Sequence, residues 1–166
     1  MLLSIIVGAA TPARAQTNLW RIGVYDSRAI AVAFANSTEF QDTILQPARA
    51  DHDKAKAAKD DKQMKEIENR MKLTQRRLHE EGFSTGSVSS IMDRVKTSLP
   101  DLARQAGVDV IVSKWELNYQ SPNVELTDVT DKLTALFHTS EQGKKWAKSI
   151  QGKPPIPMEE MGDDVD

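Results

Sequence analysis

The side chains able to do chemistry in this chain are few and poorly spaced for it. His52, His79 and His138 stand far apart, and only His79 has acidic neighbours, Glu80 and Glu81. Adjacent residues point to different faces of a helix, so these three do not make a chelating set. There is no cysteine, which excludes a disulfide framework, a thiolate metal site and a Cys nucleophile. Serines, histidines and aspartates occur throughout, but none is assigned to a nucleophile elbow. Gly82 and Gly86 are read as bracketing a turn, not a phosphate. The expectation is a protein that is not an enzyme, with no catalytic, cofactor-binding or metal-binding residue and no cofactor.

A second kind of chemistry is charge. The cluster Arg70, Lys72, Arg76 and Arg77 interleaves with Glu66, Glu68, Glu80 and Glu81, which describes a solvated helix face better than a phosphate-binding strip. The whole chain, with 22 Lys+Arg against 24 Asp+Glu and a formal charge of −2, has no net basic field to draw in nucleic acid. The hydrophobic fraction is 39% and the charged fraction 28%, polar for an ordinary globular domain. The 166 residues allow one domain, and that composition predicts an elongated or oligomeric one.

The elements follow in a definite order. Residues 2–10 form a short apolar run; Pro12 follows, and Ala13-Arg14-Ala15 has the small-x-small form of a signal-peptidase site, so residues 1–15 are expected to be a cleaved signal peptide. The run is shorter than the roughly 20 residues needed to span a bilayer. No stable membrane insertion is therefore expected after cleavage. Trp20-Arg21-Ile22-Gly23-Val24-Tyr25-Asp26 reads as a strand. Ser37 or Asn36 is a helix cap, with Pro47 an awkward interior residue that should kink the helix. Residues 49–81 contain no Gly, Pro or aromatic residue, and Met64, Ile67, Met71 and Leu78 form a thin heptad-like seam with Thr74 in the gap. Such a seam predicts an antiparallel helical hairpin standing in solvent, its tip near Asp60-Asp61.

Gly82 to Ser87 is a helix stop and restart. Val88, Ile91, Val95, Leu99, Leu102 and Ala106 make a more apolar stripe, with a break near Leu99 and a stop at Gly107. Val108–Val112 is a β-branched strand. Leu117-Asn118-Tyr119 is expected as a second short strand, and Thr127 as the N-cap of a helix reaching Phe137. A further helix is expected from Ser140 to Ile150, and a mobile acidic tail after Gly152. Phe83, at the break between arm and body, is read as lining a client surface or packing the hinge, with packing favoured. Trp115 and Tyr119 are read as core or subunit-interface aromatics.

Three segments in this order resemble the Skp (OmpH-like) family of periplasmic chaperones. Ile22-Gly23-Val24-Tyr25-Asp26 is similar to the family's first strand, directly after the signal. Val95 through Val112 is similar to its return helix and second strand. Asn118-Tyr119-Gln120-Ser121 with Leu126-Thr127-Asp128-Val129-Thr130 is similar to its closing strand and the start of its last helix. The resemblance covers the two ends of residues 20–137, while the hairpin between them matches only in character. It implies an α+β fold, a small β-body of short strands with a projecting antiparallel coiled-coil hairpin. The signal peptide would then be residues 1–15 and the Skp-like domain residues 16–137. Within that domain the arm is at about 36–106, the β-body at 20–27 and 108–126, and a helix at 127–137. Residues 138–166 would be an added helix and disordered acidic tail.

The resemblance also implies a homotrimer in the periplasm, acting as an ATP-independent holdase for unfolded outer-membrane proteins. Two features depart from the family: the chain is acidic where the best-known members are strongly basic, and its arms are short. Affinity for lipopolysaccharide or anionic membrane is therefore not carried over. The alternative from another class is a structural coiled-coil protein of the envelope whose arms bind one folded partner.

Overall fold

A computed structural model describes residues 20–161. The proposed signal peptide, residues 1–15, and the last five residues of the acidic tail lie outside the described residues.

β1 (Arg21–Tyr25) carries Ile22 and Val24, and it is the middle strand of a three-stranded sheet ordered β2-β1-β3. β2 is Val110–Ser113 and β3 is Glu125–Asp128. Both pairings are parallel: Ile22 lies beside Val110 on one side and Leu126 on the other, and Val24 beside Val112 and Asp128. Gly23 has a packing reason to be glycine. A Cβ there would stand 3.1 Å from Val108 and 3.3 Å from Val129, the two apolar residues that close over the strand.

The expected architecture is corrected here. The chain is mostly helical around a small all-parallel sheet, and it is not a short-strand body with a projecting coiled-coil hairpin. Parallel neighbours cannot be joined by a tight turn and need long crossovers that return to the same end of the sheet. The helices between β1 and β2 are that crossover, and they pack as part of the body. α1 (Ser27–Ala35) is buried along most of its length, from Ser27 to Phe34. Around it are α4 (Asp61–Phe83), α7 (Thr130–Thr134) and α8 (Glu141–Gln151). Phe34 on α1 meets Phe40 edge-on at 5.4 Å and Phe137 at 6.0 Å. Burying such side chains contributes about 1.5–3 kcal/mol each, so α1 is where the core is concentrated.

Between α1 and α4, the short α2 (Thr38–Phe40) leads through a π-helical turn, Gln41–Leu45, into α3 (Gln46–Ala57). Ser37 caps α2 by accepting the Phe40 N–H at 3.1 Å. The wide π turn explains how Pro47 is tolerated: it sits in the first turn of α3, where a missing N–H costs least. α3 ends at Ala57 and Asp60 caps α4 by accepting the Gln63 N–H at 2.9 Å. The seam of α4 changes partner halfway. Ile67 is buried near Ala48 of α3, whereas Met71, Thr74 and Leu78 face α1 and α8.

α5 (Ser89–Met92), a 3-10 stretch Asp93–Ser98 and α6 (Leu99–Ala106) bring the chain to Gly107, which ends α6 with φ +68. Two local expectations fail downstream. Leu117–Tyr119 is loop, and the third strand is Glu125–Asp128. Thr127 therefore lies within β3 and caps nothing; Asp128 accepts the Thr130 N–H at 2.8 Å and α7 starts at Thr130. Pairing with β1 takes precedence over the local helix-start pattern, because it satisfies backbone groups that a four-residue segment cannot satisfy alone. α8 begins after Ser140, whose hydroxyl accepts the Gly143 N–H at 3.1 Å. Beyond it, the Ile156 N–H donates to the Phe83 carbonyl at 2.9 Å, which ties the Pro-rich stretch to the end of α4.

Candidate functional site

In parallel α/β sheets the carboxyl ends of the strands are the usual place for a ligand, and here that end is filled by charge. Asp26 follows β1, is 1% exposed, and caps α1 through the Arg28 N–H at 3.1 Å. Its carboxylate also takes Arg28 Nε at 3.0 Å and Nη2 at 2.8 Å, Trp115 Nε1 at 3.2 Å and Lys114 Nζ at 2.8 Å. The Asp26 N–H donates to Thr130 Oγ1 at 3.0 Å. Both cations stack on Trp115, Arg28 at 4.8 Å and Lys114 at 4.5 Å from the ring centre. Burial pushes the Asp26 carboxyl up, but the hydrogen bonds from Arg28, Lys114 and Trp115 and the Arg28 charge outweigh it and hold it below the ordinary carboxylate value.

Five donors on one carboxylate leave no acceptor for a substrate, and Arg28 is sealed at 0% exposure. This cluster is a clasp that joins β1, α1, the loop after β2 and the start of α7. Its function is to hold the sheet to the helices. No spacing in the sequence singles out Asp26, Arg28 or Lys114, since their partners lie up to 104 residues away.

An open feature lies further along the same helix, towards the C-terminal end of α1. A groove of about 600 Å³ runs between α1, α4 and α8. α4 supplies one wall with Met71, Thr74, Gln75, Leu78, His79, Gly82 and Phe83, a three-and-four spacing that puts every one of them on one helix face. α1 supplies the floor with Ala31, Val32 and Ala35, closed at one end by Phe40 and Leu45. α8 supplies the far wall with Trp146, Ser149 and Ile150, followed by Lys153. Small residues on α1 set the depth. Gly143 sets how near α8 comes, because a Cβ there would lie 2.5 Å from Asn36 and 2.6 Å from Thr139. Trp146 is 51% exposed and Phe83 42%, so both large rings stand at the rim with much of their surface in water.

Phe83 therefore does not pack a hinge, the favoured of its two expected roles. It is a groove wall, with His79 edge-on to it at 5.4 Å. Trp115 is a clasp residue, and Tyr119 is 79% exposed. His52 pairs with Glu68 at 3.5 Å on the α3–α4 face, and His138 has φ +43 in the turn before α8. The histidines are not brought together, and among the described residues no group of three or more His, Asp or Glu is placed to hold a metal. Arg76 pairs with Glu80 at 3.1 Å and Arg77 with Glu81 at 3.6 Å, so the basic cluster is partly spent along its own helix.

The pentapeptide Gly82-Phe83-Ser84-Thr85-Gly86 has the G-x-S-x-G spelling, which corrects the expectation that no such elbow motif exists in the chain. Its context is wrong for a nucleophile elbow, which needs an exposed Ser on a strand-to-helix turn. Here the segment ends a helix, and Ser84 is 1% exposed with its hydroxyl lacking a partner among the described residues. Gly86 is required for packing, since a Cβ would lie 2.9 Å from the Glu80 carbonyl carbon. Glu81, at this helix end, is 3% exposed with one oxygen unpartnered among the described residues. Burial pushes its carboxyl up to about 6; the Arg77 charge opposes this and Glu80 adds to it.

No protein-family model, no curated protein and no solved structure matches the chain. Among the described residues no helix is long and apolar enough to cross a membrane.

Proposed function

We propose that this protein is an ATP-independent holdase that binds apolar segments of unfolded polypeptides in the α1–α4–α8 groove. The observation that carries the reading is the groove itself, about 600 Å³ with Trp146 and Phe83 half-exposed at its rim. A volume in that range suits several apolar side chains at once. Met71 in the wall adapts to varied partners, and a rim aromatic supplies contact area at low entropy cost. With no preorganised polar constellation in the groove, it favours apolar surface without selecting one structure.

The client class, unfolded outer-membrane proteins, the periplasmic setting and the homotrimer come from the resemblance of the three segments described above. The cage of projecting arms is not part of this reading; the groove takes its place as the holding surface.

The test is suppression of aggregation. Residues 16–166 should keep several unrelated unfolded porins soluble without nucleotide, and Trp146→Ala should weaken that protection. Failure to protect any of them at saturating protein would end the holdase reading. Strong binding to one folded envelope protein alone would favour the structural alternative. Light scattering tests the assembly, and a monomeric mass would exclude the trimer.

A further inference from the structure

The groove has a charge asymmetry that its apolar lining does not require. Its lining contains no Asp or Glu among the described residues, while Lys153 stands at the end of one wall. The pattern extends beyond the lining along both outer edges. Lys145 lies one turn before Ser149 on the same edge of α8, and Lys72 lies three residues before Gln75 on the same edge of α4. Both lysines are exposed. Glu80, the carboxylate next to His79, is held by Arg76 at 3.1 Å, and Glu141 at the start of α8 is held by Lys144 at 2.6 Å. The basic border is thus Lys72, Lys145 and Lys153 along the helix edges, with Glu159 and Glu160 following Ile156, whose N–H donates to the Phe83 carbonyl at the groove's end.

From this we infer that the groove selects apolar segments bordered by acidic residues. The inference rests on the proposed function and adds the chemistry of the client's flanks. The apolar stretch fills the space between Leu78, Val32 and Ile150, and carboxylates on either side of it lie against Lys72 on one wall and Lys145 and Lys153 on the other. Apolar contact supplies most of the affinity, and the lysines supply choice and speed of encounter. Exposed pairs of this kind are individually weak and are screened by salt, so the preference is expected to be graded and reversible, as a holdase requires.

The experiment uses three labelled peptides with one common Leu/Phe core and flanks of Glu, Ser or Lys, titrated with residues 16–166 and followed by fluorescence anisotropy. The Glu-flanked peptide should bind about tenfold tighter than the Lys-flanked one at low salt, with Ser between them. The three affinities should converge as salt is raised. The triple variant Lys72→Glu, Lys145→Glu, Lys153→Glu, whose fold is checked by circular dichroism, should reverse the order. Equal affinity of the three peptides overturns the charge preference and leaves the apolar groove standing. Binding of none of them overturns both.

Two other occupants would show themselves in the same series. If the Glu-flanked peptide binds only after residues 154–166 are removed, the groove belongs to the chain's own tail and the inference fails. If no peptide binds and Trp146→Ala lowers the sedimenting mass, a second copy fills the groove and the inference fails too.

Discussion

The two ends of α1 present opposite solutions to the same problem of what to do with its neighbours. At the N-terminal end, Asp26, Arg28, Lys114 and Trp115 bury charge and satisfy the carboxylate with five donors. Towards the C-terminal end, Ala31, Val32 and Ala35 leave an apolar trough with half-exposed aromatics at its edge. The ionic cluster has its acceptor fully engaged and is closed off by burial, with Arg28 Nη1 the donor left without a partner among the described residues; an apolar surface left open in water has a standing reason to be covered. Charge in a cleft is often taken as the mark of a functional site. In this molecule the charged cluster is architecture and the bland surface is where binding is expected.

Substitutions can separate the two ends. Asp26→Ala leaves Arg28 charged and buried without its partner, and we predict a loss of about 3–5 kcal/mol in chemical unfolding. The double variant Asp26→Leu, Arg28→Met removes both charges and should recover most of that loss. If the single change costs under about 1 kcal/mol, the clasp does not hold the sheet as described. Trp146→Ala should do the reverse, weakening binding of an apolar peptide at least tenfold, about 1.4 kcal/mol or more, while the unfolding free energy moves by less than about 1 kcal/mol.

Gly143→Ala touches stability and binding together. The added methyl at 2.5 Å from Asn36 must push α8 from α1, and overpacking of this kind costs about 1–3 kcal/mol. Both thermal stability and peptide affinity should fall together, since α8 carries Trp146 and Ile150.

The smallest effect concerns Glu81. Its folded-state value of about 6 lies above the ordinary 4.5, so folding favours the protonated form. The stability tied to that proton is fully present below pH 4.5 and is lost as the pH rises through 6. Glu81→Gln, which keeps the neutral shape, should therefore be more stable than the parent at pH 7–8, by at most about 2 kcal/mol, with the gap closing towards pH 4.5. A gap that does not change with pH would mean that the Glu81 carboxylate is solvated in the folded protein.

What the sequence foretold divides along the same line as contact range. β1, the Val-rich strand near 110, the Ser37 cap, the Gly107 stop and the helix after Ser140 are all marked by local residues, and each is present. β3 is not marked. Glu125-Leu126-Thr127-Asp128 has one large apolar residue, and it becomes a strand because Arg21 to Val24 lies beside it. The clasp is hidden for the same reason. The groove was half visible: the stripe Met71, Thr74 and Leu78 is plain in the sequence as a seam, but a seam does not say what faces it. The periodicity fits a solvent-standing hairpin as well as a wall opposite α8. Gly143, whose closeness to Asn36 decides between them, has no local distinction at all.

The position of β1 has one more consequence, in time instead of space. The first strand of the chain is the centre of the sheet, and its partners begin 88 and 104 residues later. During synthesis or release in an N-to-C direction, Ile22 and Val24 have no strand to pair with until the chain beyond residue 113 is free, and their second partner only beyond residue 128. Sheet formation is therefore a late event with a long loop to close, slow by the measure of contact order. The clasp, whose Asp26 meets Arg28 at once but Lys114 and Trp115 only then, closes in the same step. Until that step the most buried strand of the protein is itself an unfolded segment in search of cover.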